Sequence, residues 1–324
     1  MTRFYYKQNR LKQLRAFCHV AQVGSMSKAA DQMSLSQPSI SLLVQALEKD
    51  MGSTLFLRQG PRIQLTAEGK ILLELALPLV EGLEILPDAF HERCHNHISG
   101  ELNIAAGEST ILYILPGILK QFAINHPGIR VKLSNVTGHD GLELLRGGKV
   151  DFAVGSMLEI PEDIHYTPIF TYETVLITAH EHPLAAKKNL TLEDIGQYGL
   201  ILPPRHLSTW RIVDLVFQQH NVKYNVILEA GGWEVIKKYV QMNMGVSIVT
   251  SICLSDREEL VSIPLSQYFP KRTYGLVLRR GKYMSPAARK FIELIAPHTL
   301  EQYRKTGIHS LTETTLSPAT GFVA

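Results

Sequence analysis

The sequence predicts an α+β multidomain chain: a small helix-turn-helix head, a long linker helix, and a C-terminal body of two α/β lobes. Three observations carry that reading. Short amphipathic segments and a compact hairpin pattern fill the first 65 residues. One long helical pattern comes next, and beyond Gly100 short apolar strands alternate with helices. At 324 residues the chain is long for one domain and suits two or three.

In the head, Leu11, Leu14, Phe17, Cys18 and Ala21 recur at three- and four-residue spacing, which predicts a helix ending near Gly24. A second helix is expected over 26–33 and a third over 37–51. Ser36 suits the N-cap of the third, Pro38 its first turn and Gly52 its stop. Residues 55–58 and 62–65 flank a Gln59-Gly60-Pro61 turn and read as a hairpin. The linker pattern runs over 66–90, with Leu72, Leu75, Leu79, Gly82 and Leu86 on a seam suited to pairing with a second helix. Pro78 predicts a kink or a break there.

In the body, strands are expected at 101–106, 130–136, 150–154, 174–178, 200–202, 226–229, 248–250 and 274–278, with helices to about 125 and over 142–145. This alternation predicts parallel sheets with helices on both faces. The domain division is then 1–65 for the head, 66–97 for the linker, 98–298 for the body and 299–324 for a Ser/Thr/Gly-rich disordered tail. Within the body, the first lobe takes 98–169 and 274–298, and the second takes 170–273.

Charge is unevenly spread. Residues 1–65 hold nine Lys/Arg against three acids, while the remainder holds 24 against 27. A basic head on a mildly acidic body points to a polyanion as the head's partner or to an ordinary solvated surface, and charge alone does not decide between them. No apolar run is long enough to span a bilayer, so no membrane partner is expected, and the N-terminus lacks the apolar core of a secretory signal. Cys18, Cys94 and Cys253 are scattered and form no disulfide framework, which fits the cytoplasm.

The stretch 25–69 carries the chemistry. Ala29, Ala30, Met33, Leu35, Ile40 and Leu43 are the small and apolar residues that two closely crossing helices require. Ile40, Leu43, Val44 and Leu47 would share the buried face of the third helix. Ser36, Gln37, Ser39, Ser41, Leu42, Gln45 and Lys49 are left outward, where short polar side chains can address base edges and phosphates.

The run Ala29-Ala30, Ser36-Gln37-Pro38-Ser39-Ile40-Ser41, Leu47-Glu48, Gly52, Leu55-Phe56, Arg58 and Leu65-Thr66-x-x-Gly69 resembles the winged helix-turn-helix of LysR-type transcriptional regulators. The resemblance implies that Ser36, Gln37, Pro38, Ser39 and Ser41 begin a recognition helix, that Arg58 and Arg62 lie on a wing against phosphate or minor groove, and that a dimerising helix starts at Thr66. Leu42, Leu43 and Gln45 stand where family members often carry Arg or Lys. Leu42 can meet a thymine methyl or pack locally.

The likeness extends through Leu115-Pro116, Phe122, His126-Pro127, Leu144-Leu145-x-Gly147 and Val150-Asp151-Phe152-Ala153, which resemble the family's periplasmic-binding-protein-like effector domain. The segment 234–249 is most similar to the cysteine- and sulfur-regulon subgroup. Membership of this family would imply a sequence-specific regulator, homotetrameric, with double-stranded DNA, a small-molecule effector, anionic or related to sulfur metabolism, and RNA polymerase as partners. Ligands of such folds sit where strand C-termini meet helix N-termini. Glu108, Ser109 and Thr110, then Ser156, then Arg205, Ser208 and Thr209, with Trp233 completing the set, become the effector candidates. Glu108 would repel sulfate, and Ser109 and Thr110 could simply cap a helix.

His91, Cys94, His95 and His97 have the residue types of a metal or redox sensor, but they lie where the linker helix should end and read as a solvated hinge, so neither a metal nor a cofactor is expected. A solute-binding protein of the same bilobal fold should lack the basic head and carry an export signal. A cleft enzyme would need a placed nucleophile or acid/base pair, and no catalytic residue stands out.

Overall fold

The computed structural model describes residues 10–59, 62–95, 99–255 and 258–300. Helices α1 (Arg10–Val23), α2 (Met26–Gln32) and α3 (Gln37–Met51) form the head, with β1 (Phe56–Gln59) and β2 (Arg62–Leu65) paired antiparallel beside them. The boundaries have local causes. Ser25 accepts the Lys28 N–H at the start of α2, and Ser36 accepts the Ser39 N–H at 3.3 Å at the start of α3. Helix α3 stops at Gly52, which is left-handed. Phe17, Ile40, Val44, Leu47, Leu55 and Phe56 make the core, with the Phe17 and Phe56 rings 5.3 Å apart. Leu35, expected inside, is 41% exposed, because Ser34 turns the chain through a left-handed conformation just before it.

Two side chains fasten the hairpin. Glu48 Oε1 accepts the backbone N–H of Leu55 at 2.8 Å and of Phe56 at 3.3 Å. Thr66 donates to the Thr54 carbonyl and accepts the Gly69 N–H at 2.9 Å. Gly69 is required by proximity, since a Cβ there would lie 2.2 Å from the Leu55 carbonyl oxygen.

Helix α4 (Ala67–His95) runs without a break through both Pro78 and Pro87, so of the kink or break expected at Pro78 the break does not occur. Packing holds it across the lost hydrogen bonds, with Ala76, Leu77 and Val80 buried on the head. The expected seam is also corrected. Leu72 packs into the head core and Gly82 lies under the Tyr283 ring, so neither faces out. The outward stripe is Ile71, Leu75, Leu79, Leu83, Leu86 and Phe90, each 45–60% exposed.

The first lobe is built from β3 (Gly100–Ala106), a π-helical turn (Thr110–Ile114), α5 (Leu115–Asn125), β4 (Ile129–Asn135), α6 (Gly138–Arg146), β5 (Phe152–Gly155) and β6 (Ile164–Tyr172). The second comprises β7 (Thr174–Thr178), α7 (Leu192–Gly196), β8 (Gly199–Leu202), α8 (Ser208–Gln219), β9 (Asn225–Glu229), α9 (Trp233–Gln241), β10 (Ser247–Thr250) and β11 (Val261–Pro264). The chain then returns to the first lobe as β12 (Arg272–Arg279) and α10 (Pro286–Ile295).

The first sheet has the order β4-β3-β5-β12-β6. Its β3, β4 and β5 are mutually parallel where they pair, while β12 is antiparallel to both β5 and β6. The second lobe pairs β7 antiparallel with β10 and β11, and β8 parallel with β9. The wholly parallel arrangement expected from strand-helix alternation is therefore wrong. Strands that cross between lobes arrive without the crossover helix that enforces parallel pairing. Strands β6 and β11 are additions to the expected set, since both are edge strands with proline, Pro168 and Pro264, which the sequence reads as interruptions.

Phe122, Phe152 and Phe291 pack the first lobe, with Phe291 5.1 Å from Phe122 and 5.4 Å from Phe152 between ring centroids. Trp210, Phe217 and Phe269 pack the second. Only Glu173 separates β6 from β7, and Tyr172 is the register partner of Arg272, so the two crossings between lobes lie side by side. Of the expected tail, Thr299 is buried, and 301–324 lie outside the described residues.

Candidate functional site

The tip of α3 is a free surface. Ser36, Gln37, Pro38, Leu42, Gln45 and Lys49 are exposed, with Leu42 at 66%, and Ser39 and Ser41 are half-buried. Ile40, Val44 and Leu47 are fully buried beneath them. The first turn is stiffened by the Ser36–Ser39 hydroxyl pair at 2.8 Å. Arg58 and Arg62 sit in the hairpin, opposite Ile63 and Gln59 respectively, and the turn at 60–61 lies outside the described residues. This geometry presents short hydrogen-bonding side chains on a rigid helix end, with hairpin arginines nearby in the chain.

A second site lies between the lobes. A cavity of about 420 Å³ is lined by Glu108, Ser109, Thr110, Ser156, Ser208, Thr209 and Trp233, so seven of the eight effector candidates come together there. Arg205 does not. Its guanidinium stacks over the Trp210 ring at 5.1 Å, where a cation gains from the aromatic face. The cavity's guanidinium is instead that of Arg272, which sequence reasoning misses because the apolar pattern starts the strand two residues later, at Tyr274. The available signal was a basic residue at the head of an otherwise apolar strand.

Arg272 is 8% exposed and donates to Ser208 Oγ at 2.9 Å and Thr209 Oγ1 at 3.2 Å, both at the start of α8. Its Nε has no hydrogen-bond partner, and no carboxylate pairs with it among the described residues. Burying a guanidinium without a counter-charge is costly, so the site is poised for an anionic group.

A polar clasp spans the cleft beside this cavity. Tyr113, in the π-helical turn of the first lobe, donates to Glu234 of α9 in the second. Lys237 is buried, bonds Glu234 at 2.8 Å and Glu258 at 2.6 Å, and lies 5.1 Å from the Tyr113 ring. Burial and the bond to Glu234 push the Tyr113 phenol up. Against the opposing effect of burial, bonds from Lys237 and Tyr113 hold Glu234 below the usual carboxylate range.

Of the histidine–cysteine group, His91, Cys94 and His95 fall on the last turns of α4, and His97 lies outside the described residues. Among the described residues no group of three or more His, Cys, Asp or Glu could hold a metal, and no helix is long and apolar enough to cross a membrane.

Comparison with known proteins joins the two sites. Residues 11–70 match the family described as bacterial regulatory helix-turn-helix protein, lysR family, and residues 95–299 match the LysR substrate binding domain. The transcriptional regulator SsuR of Burkholderia cenocepacia is 27% identical over 289 residues, covering 87% of this chain and 92% of that one. A probable RuBisCO transcriptional regulator of Cyanophora paradoxa is 30% identical over 300 residues, covering 88% and 90%. The solved cofactor-binding domain of the Cbl transcriptional regulator superposes with a TM-score of 0.60 at 26% identity, over 65% of this chain and 94% of that one. With a head of one matched kind and a body of the other, the chain belongs to the LysR family of DNA-binding transcriptional regulators.

Proposed function

We propose that the α3 tip enters a major groove and that occupancy of the interlobe cavity by an anionic effector sets the regulator's state on DNA. Ser36, Gln37, Ser39, Ser41 and Gln45 would contact base edges and phosphates, Pro38 would shape the turn that delivers them, and Leu42 would meet a thymine methyl. Arg58 and Arg62 would hold the backbone or minor groove. The head (1–65), linker (66–97) and body (98–298) act as units, the α4 stripe pairs with a second copy, and dimers pair into a tetramer. The protein works in the cytoplasm with RNA polymerase as a further partner and performs no catalytic step.

One observation carries the effector reading: a buried guanidinium bound to two hydroxyls of the opposite lobe and lacking a carboxylate partner among the described residues. The ligand shifts the equilibrium only through unequal affinity for the two lobe arrangements. Selection from a random duplex library with the full-length chain tests the DNA half. A partly palindromic motif should emerge, and Gln37→Ala should lose it. A library that shows no enrichment over non-specific binding would overturn the reading.

A further inference from the structure

Among the described residues, the cavity holds one buried or half-buried charge of each sign with no ion-pair partner. Arg272 is the positive one. The negative one is Glu108, just beyond the C-terminal end of β3, whose carboxylate has no hydrogen-bond or ion-pair partner among the described residues. Glu108 reaches across the cleft to the start of α9, since a Cβ built on Gly232 would lie 3.2 Å from its Oε1. The other acid in the lining, Asp140, is solvent-exposed in the first turn of α6, where it accepts the Thr137 hydroxyl at 2.6 Å and water screens its charge. Glu108 and Arg272 do not pair with each other, yet both fields reach the same buried thiol. Burial pushes Cys253 up to about 12; Lys237 and Arg272 pull it down, while Glu108 and Glu258 raise it.

We propose that the effector is a zwitterion of the α-amino-acid class, with its carboxylate on Arg272, Ser208 and Thr209 and its ammonium on Glu108. This rests on the effector reading above. The argument is one of charge compensation in a confined space. A simple anion such as sulfate would satisfy Arg272 and face Glu108 with like charge. A simple amine would satisfy Glu108 and leave the guanidinium bare. A neutral sugar would leave both unpaired. A ligand carrying both signs compensates both walls at once, and it ties the β3 end of the first lobe to the α8 start of the second. About 420 Å³ leaves room for a side chain against Leu142, Met157 and Trp233.

The test uses the full-length chain, with thermal shift and calorimetry as readouts. The probes are the twenty common L-α-amino acids, their 2-hydroxy-acid and decarboxylated-amine counterparts, and sulfate. At least one amino acid should raise Tm, and its hydroxy-acid and amine counterparts should bind at least tenfold more weakly. Glu108→Gln should erase the preference for amino acid over hydroxy acid, and Arg272→Gln should abolish binding in a protein whose circular dichroism is unchanged. A preference that survives Glu108→Gln overturns the proposal. So does sulfate binding that Arg272→Gln removes and Glu108→Gln strengthens, although that result keeps the anionic cleft. If no probe binds, or Arg272→Gln changes nothing, both readings fall.

Discussion

Glu81 of the linker helix and Arg279 of β12, 198 residues apart in sequence, form an ion pair at 2.5 Å with side chains only 13% and 10% exposed. The contact fastens the linker helix to the first lobe. Removing one partner of a buried pair costs about 3–5 kcal/mol. Glu81→Ala should therefore lower the calorimetric Tm sharply, and the double variant with Arg279→Leu should recover part of the loss. Single effects that simply add would show that the two side chains are not coupled.

On α3, neighbouring residues should behave in opposite ways. Ile40→Ala removes a fully buried side chain and should cost about 2–4 kcal/mol in urea unfolding of the head. Leu42→Gln, two residues on and 66% exposed, should change stability by less than about 0.5 kcal/mol while altering the bases selected. An unchanged selected motif would mean that Leu42 reads nothing.

The stripe on α4 predicts self-association through the linker. Burying one leucine from solvent contributes roughly 1.5–3 kcal/mol. Leu79→Glu combined with Leu86→Glu should convert the assembly to a smaller species in analytical ultracentrifugation, while leaving the circular dichroism of the chain intact. A sedimentation coefficient that does not move would place the contact elsewhere.

His182 predicts a pH dependence. It is 7% exposed, packs edge-on against Tyr198 at 4.6 Å and accepts the Leu184 N–H on Nδ1 at 3.2 Å. Burial pulls its pKa below the ordinary 6.5, with Glu181 opposing. A depressed histidine binds fewer protons folded than unfolded, so its contribution is complete above 6.5 and is lost as pH falls below that value. Tm should decline as pH falls below 6.5, and His182→Asn should flatten that part of the profile. An identical slope in the variant would assign the loss to other groups.

The head was legible because its signals are local. The hydroxyl of Ser36, the ring of Pro38 and the glycine at 52 each act within a few residues, and Ile40, Val44 and Leu47 declare one face by their spacing. The body was legible in its strands but not in their direction, because β12 pairs with residues 100 or more positions earlier in the chain. The cavity was half legible. Ser109, Thr110, Ser208 and Thr209 come soon enough after strands to be named from the pattern. Arg272 reaches them only because the chain returns from the second lobe at that residue, and no spacing in the sequence records the return. Leu72 and Gly82 show the same limit on α4, since the choice between partner and self depends on where Tyr283 and the head core sit.

Strand β12 begins at Arg272 and ends at Arg279, a span of roughly 23 Å at the usual rise per residue. One extended, sheet-bound segment thus touches the interlobe cavity at one end and the linker helix at the other. Because a central strand does not stretch, the first lobe and the linker would move as one stiff body, and a ligand captured in the cavity would express itself through displacement of the second lobe. Mechanical leverage on the DNA heads would then come from whatever that second lobe leans on in a neighbouring copy, with the linker root staying still.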